Sequence, residues 1–288
     1  MGQFENPRED DRENPEMNIY IGTAGWTIPR DSALRFSGTG SHLERYARVF
    51  NAVEINSTFH RSHLRSTYGR WAAISPEGFR FAVKAPREIT HASRLINVRD
   101  PLARFVEEAG GLGSALGPVL FQLPPSLAFD AAVAANFFEL LRDLYSGGCV
   151  LEPRHPSWFG QGAEDILKEF RVARVAADPA RIPLAGEPAG WKSLVYFRLH
   201  GTPRVYYSAY SARFLQQLAA RISALAQSAT VWCIFDNTAA GAATANALTL
   251  LEAVTTAARS QQGGGRSGWG KANLLTSHRA DDARRRTQ

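Results

Sequence analysis

Eight short apolar runs recur through the chain, and this repeat restricts the available folds more than any other feature. They are Ile19–Gly25, Ala52–Phe59, Phe79–Pro86, Gly117–Pro124, Cys149–Pro156, Ala173–Asp178, Leu194–Gly201 and Thr230–Asn237. Each is rich in β-branched or aromatic residues and bounded by Gly, Pro, Asn or Asp, the signature of a short strand. Helix-like stretches separate most of them. Eight strand–helix units in a chain of 288 residues predict an α/β fold, a single (β/α)8 TIM-type barrel. The expected organisation is a disordered acidic segment over 1–18, the barrel over 19–257, and a flexible basic Gly/Arg-rich tail over 258–288.

The helix signals fall where such a barrel needs them. Ser41 with Glu44 forms a capping box ahead of an apolar stretch. Asp130 and Ser211 are placed to cap the helices that follow them. Pro101 and Thr238 are expected to open two more. The sixth crossover, residues 179–192, is rich in Pro and Gly and weak in helical pattern, so it is expected to be irregular.

Charge and cysteine usage narrow the function classes. The net charge is +6, with −4 over residues 1–18 and +5 over 259–288. The remaining positive balance suits an anionic ligand and lacks the dense basic stripe of a dedicated nucleic-acid surface. Only Cys149 and Cys233 are present, both inside apolar runs, which argues against a disulfide framework or a zinc knuckle and for a reducing, cytoplasmic setting. The first residues lack the apolar core of a secretory signal, and no stretch approaches the roughly 20 apolar residues of a membrane span. There is no Walker A, GxSxG or HExxH motif.

In barrels of this kind the chemistry sits at the C-terminal strand ends. There the runs carry Glu54, Asn56, Lys84, Gln122, Glu152, Arg154, His155, Asp178, Arg198, His200, Asp236 and Asn237. Side chains alternate faces along a strand, so Glu54 shares a face with Asn56, Glu152 with Arg154, and Arg198 with His200. An unpaired charge under a helix is costly, so these groups are expected to point into the mouth. Glu54, Glu152 and His200 are the proton-transfer candidates. Asn56, Lys84, Gln122, Arg154, His155, Asp178, Arg198, Asp236 and Asn237 are the binding candidates. Lys84, Arg154 and Arg198 are expected to converge on one anion, because two guanidiniums and an ammonium match phosphate or carboxylate oxygens. The loop 201–210 adds Tyr206, Tyr207 and Tyr210 as a stacking wall.

Seven blocks stand out along the chain: GTAGW (22–26), FNAVEINSTFHR (50–61), FRFAVKAPREITH (79–91), LGPVLFQLPPS (116–126), LEPRHPSW (151–158), YFRLHG (196–201) and FDNTAAGAATANAL (235–248). Together they resemble the DUF72, or YecE-like, family from about residue 19 to about residue 255. The resemblance implies a TIM-type barrel and carries no established activity with it. Its last block commonly holds two amides, and Asp236 replaces the first of them here.

Three readings of function stand open. The first is an enzyme, a hydrolase or isomerase, acting on a small phosphorylated or carboxylated substrate by general acid/base catalysis. No organic cofactor is expected. A divalent metal is an option, with Glu54, Glu152, Asp178, His200 and Asp236 as ligands. The second is a nucleic-acid-binding or processing protein that uses the mouth and the Arg-rich tail. The third is a non-catalytic metabolite-binding barrel. No membrane partner is expected, and the sequence leaves the oligomeric state open.

Overall fold

The structure is a computed structural model that describes residues 18–263, with side chains to 258. The N-terminal segment 1–17 and the tail beyond 263 lie outside the described residues, whereas residues 258–263, expected to begin the flexible tail, continue the last helix, whose Ala-rich run carries it past the expected boundary. The fold is mixed α/β, with parallel strands in two sheets. One sheet has the order β1 (Ile19–Thr23), β10 (Thr230–Phe235), β9 (Leu194–Leu199), β7 (Ala176–Asp178). The other runs β2 (Ala52–Ile55), β3 (Arg80–Lys84), β4 (Leu116–Gln122), β5 (Cys149–Glu152), β6 (Val172–Arg174), β8 (Ala189–Gly190). All pairings are parallel except β6 with β8.

The sheets meet at two seams. At the first, β6 and β7 are halves of one run interrupted at Val175, one half pairing with β5 and the other with β9. At the second, β1 approaches β2 through a single bridge, Ala24 to Glu54. Side chains close the rest of this seam. Asn51 Oδ1 accepts from the Ile21 N–H and its Nδ2 donates to the Ile19 carbonyl. The buried Tyr46 hydroxyl accepts from the Thr23 N–H and donates to the Ala52 carbonyl. Gly22 is required here: a Cβ would lie 2.0 Å from the Ala52 carbonyl oxygen.

The helices are α1 (His42–Ala47), α2 (Arg65–Ala73), α3 (Arg99–Ala109), α4 (Ala131–Leu144), α5 (Gln161–Glu169), α6 (Ala212–Leu225) and α7 (Ala242–Gly263). The Ser41 capping box is formed, and Asp130 and Ser211 cap α4 and α6. Two helix starts differ from expectation. α3 begins at Arg99, two residues before Pro101, which sits inside the first turn where its missing N–H has no intrahelical partner to lose. α7 begins at Ala242, because Thr238 accepts from Gly241 in a preceding turn whose glycine takes φ +79°. The sixth crossover is irregular, as expected. It holds a short 3-10 turn at Pro183–Gly186 and the unforeseen β8.

Strand alternation separates two apolar clusters. The larger lies between strands and helices, with Phe81, Phe121, Phe137, Leu151 and Phe235 among its members. The smaller lies on the opposite strand face and contains Ala52, Ala82, Leu120, Val150, Ala173, Val175, Tyr196, Trp232 and Ile234. Five of its members, Ala52, Ala82, Val150, Tyr196 and Ile234, stand two residues before Glu54, Lys84, Glu152, Arg198 and Asp236. An apolar plug therefore supports a polar layer on the same face.

Candidate functional site

The polar layer is built on Arg198, which is 0% exposed. Its Nε and Nη2 hold Glu54, at 2.9 Å to Oε2 and 2.6 Å to Oε1, in the fork geometry that suits a carboxylate. Its Nη1 donates to Glu152 Oε2 at 3.0 Å, and Nη2 lies 3.0 Å from Asp236 Oδ2. One guanidinium thus joins carboxylates from β2, from β5 and from the end of β10. The Tyr196 hydroxyl, one turn of the pleat below on β9, donates to Glu54 Oε2 at 2.9 Å. Isolated charges would be costly at this depth, and mutual pairing is what makes their burial tolerable.

His200 continues the layer beyond β9. Its Nε2 lies 2.8 Å from Glu152 Oε1 and its Nδ1 lies 3.1 Å from Asp236 Oδ2. Burial works against the imidazolium, but Glu152 and Asp236 outweigh it and raise the His200 pKa above its ordinary value. Burial likewise disfavours the Glu152 carboxylate, yet Arg154, His200 and Arg198 hold it well below the usual range. Asp236 is lowered too, its burial outweighed first by Arg198. Arg154 Nη2 is shared between Glu152 Oε1, at 2.5 Å, and His200 Nε2, at 2.9 Å. An imidazolium uses Nε2 to donate to Glu152, whereas accepting from Arg154 requires a bare Nε2. Arg154 and a proton therefore compete for one nitrogen.

The expected site residues divide into two sets. Glu54, Glu152, Arg154, Arg198, His200 and Asp236 form one connected network, and Asn56 joins it through Nδ2 to Asp236 Oδ1 at 3.5 Å. Lys84 is 7% exposed, with its Nζ 4.2 Å from the centre of the Phe59 ring. Gln122 is half-buried at the end of β4, level with Glu152 in the register. The other set lies outside the network. His155 Nδ1 accepts from the Ser157 N–H and caps the following turn. Asp178 Oδ1 accepts from Thr202 and Tyr210. Asn237 donates to the Ser208 carbonyl and to Asn246, clasping loop 201–210 against α7.

The cations do not stand alike. Every nitrogen of the Arg198 guanidinium is engaged by a carboxylate, whereas the Lys84 ammonium makes no hydrogen bond or ion pair among the described residues. No group of three or more His, Cys, Asp and Glu residues is arranged to hold a metal ion among the described residues. The oxygens of Glu54 and Glu152 are instead committed to Arg198, Arg154, Tyr196 and His200.

The tyrosine wall also divides. The Tyr206 ring, 45% exposed, meets His200 edge-on at 6.0 Å. Tyr207 lies under the Arg204 guanidinium, and Tyr210 is buried against Phe214. Sequence reasoning missed Tyr196 and Phe59. Tyr196 shares its strand face with Arg198 and His200, so alternation alone could have found it. Phe59 lies in the turn Ser57–Phe59, where alternation gives no guide. Cys149 and Cys233 are fully buried, and burial pushes the Cys149 thiol up to about 12, which leaves it inert at neutral pH. No helix among the described residues is long and apolar enough to cross a membrane.

Comparison with known proteins agrees with this architecture. The chain is 31% identical to UPF0759 protein YecE of Escherichia coli K12 over 148 residues, 51% of this chain and 52% of that protein. It is 27% identical to UPF0759 protein YunF of Bacillus subtilis over 147 residues, 49% of this chain and 52% of that one. These matches span about half the length of those relatives. Among solved structures, a DUF72 family protein from Thermotoga maritima superposes with a TM-score of 0.68 at 22% identity, covering 82% of this chain and 99% of that one. One from Enterococcus faecalis gives 0.68 at 20% identity, over 82% and 95%. The family profile described as "Protein of unknown function DUF72" matches residues 20–267, and the chain belongs to that family.

Proposed function

We propose that the two sheets close into one (β/α)8 barrel, and that its C-terminal mouth is the active site of an enzyme for a small anionic substrate. The barrel reading is supported by the two seams, which join the sheets at β1–β2 and at β6–β7. The observation that carries the functional reading is His200, held between Glu152 and Asp236 with Arg154 competing for its Nε2. A histidine raised by flanking carboxylates is a proton donor near neutral pH, and a neighbouring carboxylate returns the proton.

In this reading Arg198 is the frame. It fixes Glu54, Glu152 and Asp236, and its committed nitrogens leave it no fork to offer a ligand. Arg154, whose side chain is 14% exposed, and Lys84 are the cations left to meet the substrate's anion. Drawing Arg154 toward that anion releases His200 Nε2 and lets it hold or give up a proton beside the reacting atoms. Confinement of the network's cations to a buried layer favours a small ligand over a polymer.

A thermal-shift screen of the full chain against small phosphorylated and carboxylated metabolites tests the reading, since a ligand specific to the folded state raises the melting temperature. At least one such anion should raise it and be turned over. Glu152→Gln should keep binding and lose turnover by about 10²–10⁴-fold. If no anion shifts the melting temperature, the ligand class is wrong. Turnover by Glu152→Gln at the wild-type rate removes the proton-transfer role.

A further inference from the structure

We propose that Lys84 is a nucleophilic amine that captures the carbonyl carbon of an aldehyde or ketone substrate as an imine. This rests on the small-anion reading of the same mouth and narrows it to substrates that carry a carbonyl beside the anion, such as 2-oxo acids and keto or aldehyde phosphates.

The chain holds only four lysines, Lys84, Lys168, Lys192 and Lys271, and the other mouth cations are arginines. For holding an anion by charge and geometry, a guanidinium fork is the better group, whereas only lysine can release a proton and attack carbon. The placement of Lys84 follows. It stands at the end of β3 on the face of Ala82, 7% exposed, in the polar layer above the apolar plug. Its Nζ has the Phe59 ring at 4.2 Å and no carboxylate within ion-pair distance among the described residues. The carboxylates that could have paired with it are committed elsewhere: Glu54 to Arg198 and Tyr196, Glu152 to Arg198, Arg154 and His200, Asp236 to Arg198 and His200.

The electrostatics agree with this geometry. The charged and titratable groups around Lys84 are Glu54 from β2, Glu152 from β5, Arg198 from β9, Asp236 after β10 and His91 from the turn Glu88–Ala92. Burial, and then Arg198, push the ammonium down to about 8 against the pull of the three carboxylates. Desolvation and a neighbouring cation are the means by which an amine is made nucleophilic near neutral pH.

The step balances without a further reactant. The Nζ lone pair attacks the carbonyl carbon and forms the C–N bond, while the C=O π pair moves to oxygen. That oxygen takes a proton from His200 Nε2–H, and the nitrogen returns one of its own to the bare Nε2. Nε2 delivers this proton to the hydroxyl, the C–O bond breaks and water departs as the nitrogen lone pair forms the C=N bond. Carbonyl, amine and the His200 proton become protonated imine and water, with His200 left neutral. The protonated imine then serves as an electron sink for bond cleavage or proton removal at the adjacent carbon.

The test uses the full-length wild-type chain with pyruvate and, separately, glyoxylate, in the presence of sodium cyanoborohydride, followed by peptide mass spectrometry. The reduced adduct is expected at Lys84 at least about tenfold faster than at Lys168 or Lys192 at pH 7.5, because a lowered pKa leaves a larger fraction of the amine unprotonated. Lys168, whose side chain is 46% exposed, and the exposed Lys192 are internal controls. The Lys84 rate should rise with pH through about 8 and level off. In Lys84→Arg the adduct at this position must vanish, while an anion that raised the wild-type melting temperature should still raise it.

Modification of Lys84 no faster than the controls overturns the imine proposal. If anions still raise the melting temperature, the proposed site survives with Lys84 as a charge only. Lys84 labelling without any stabilising anion leaves the imine standing and removes the anionic substrate class.

Discussion

Arg198 shows how one side chain can fix a whole site. Its guanidinium is fully buried and touches three carboxylates, one on β2, one on β5 and one just past β10. Removing it leaves those carboxylates without their main counter-charge. Arg198→Ala should therefore lower stability by about 3–5 kcal/mol, the usual loss when one partner of a buried ion pair is deleted. For a domain of this size that is a fall of roughly 6–20 °C in melting temperature. A fall below about 2 °C would show that Arg198 is not the counter-charge on which the three carboxylates depend. His200 adds a pH signature. Its folded pKa is raised, so the stabilisation it contributes is complete below the unfolded value of about 6.5 and fades as pH rises through the folded value. The stability difference between wild type and His200→Gln should thus be largest near pH 6 and shrink toward alkaline pH; a difference that grows with pH contradicts the assignment. At this scale the sequence was informative where alternation held. Glu54, Lys84, Glu152, Arg198 and Asp236 follow from parity along their strands. His155, Asp178 and Asn237 were harder, because at or beyond a strand's end local caps and loop contacts decide where a side chain goes.

The β1–β2 seam shows the same economy between elements. Adjacent strands elsewhere share ladders of backbone bonds, but here a single bridge is supplemented by the side chains of Tyr46 and Asn51. Tyr46→Phe removes the hydroxyl that satisfies both the Thr23 N–H and the Ala52 carbonyl. The cost should be about 1–3 kcal/mol, the desolvation penalty of a buried group left unpaired. The extra loss should appear as faster amide exchange at Thr23 and its neighbours; exchange unchanged there would mean the seam is held otherwise. The eight strand runs were all legible, because each is apolar, β-branched and bounded by breakers. The sixth was legible as a run and illegible as two pieces. Nothing in Ala173–Asp178 marks the break at Val175, where the chain leaves β5 and takes up β9. The starts of α3 and α7 were displaced for a related reason. Pro101 tolerates a first turn without opening it, and Gly241 adds a turn that propensity cannot place.

Over the whole molecule, the apolar clusters, both seams and the polar layer lie within residues 18–263. The segments outside carry opposite net charge and few apolar residues, so they have little surface to bury on folding. A chain truncated to 18–263 should keep its melting temperature within about 2 °C of the full chain, since about 1 kcal/mol moves a domain of this size by 2–4 °C. Amide exchange measured on the truncated chain tests whether the two sheets form one closed barrel. If they do, β1 and β7, on opposite seams, cannot open independently, because releasing either exposes the inner cluster of Ala52, Leu120, Tyr196 and Trp232. Amides in the two strands should then exchange at the same slowest rate and with the same denaturant dependence, as members of one cooperative unit do. If β1 exchanges orders of magnitude faster than β7 while the core of β3–β5 stays protected, the seam at Ala24–Glu54 is an edge and the closed barrel is wrong. A large loss of melting temperature on truncation, with exchange still uniform, would instead place part of the folding energy in the terminal segments and redraw the domain boundary without touching the closure.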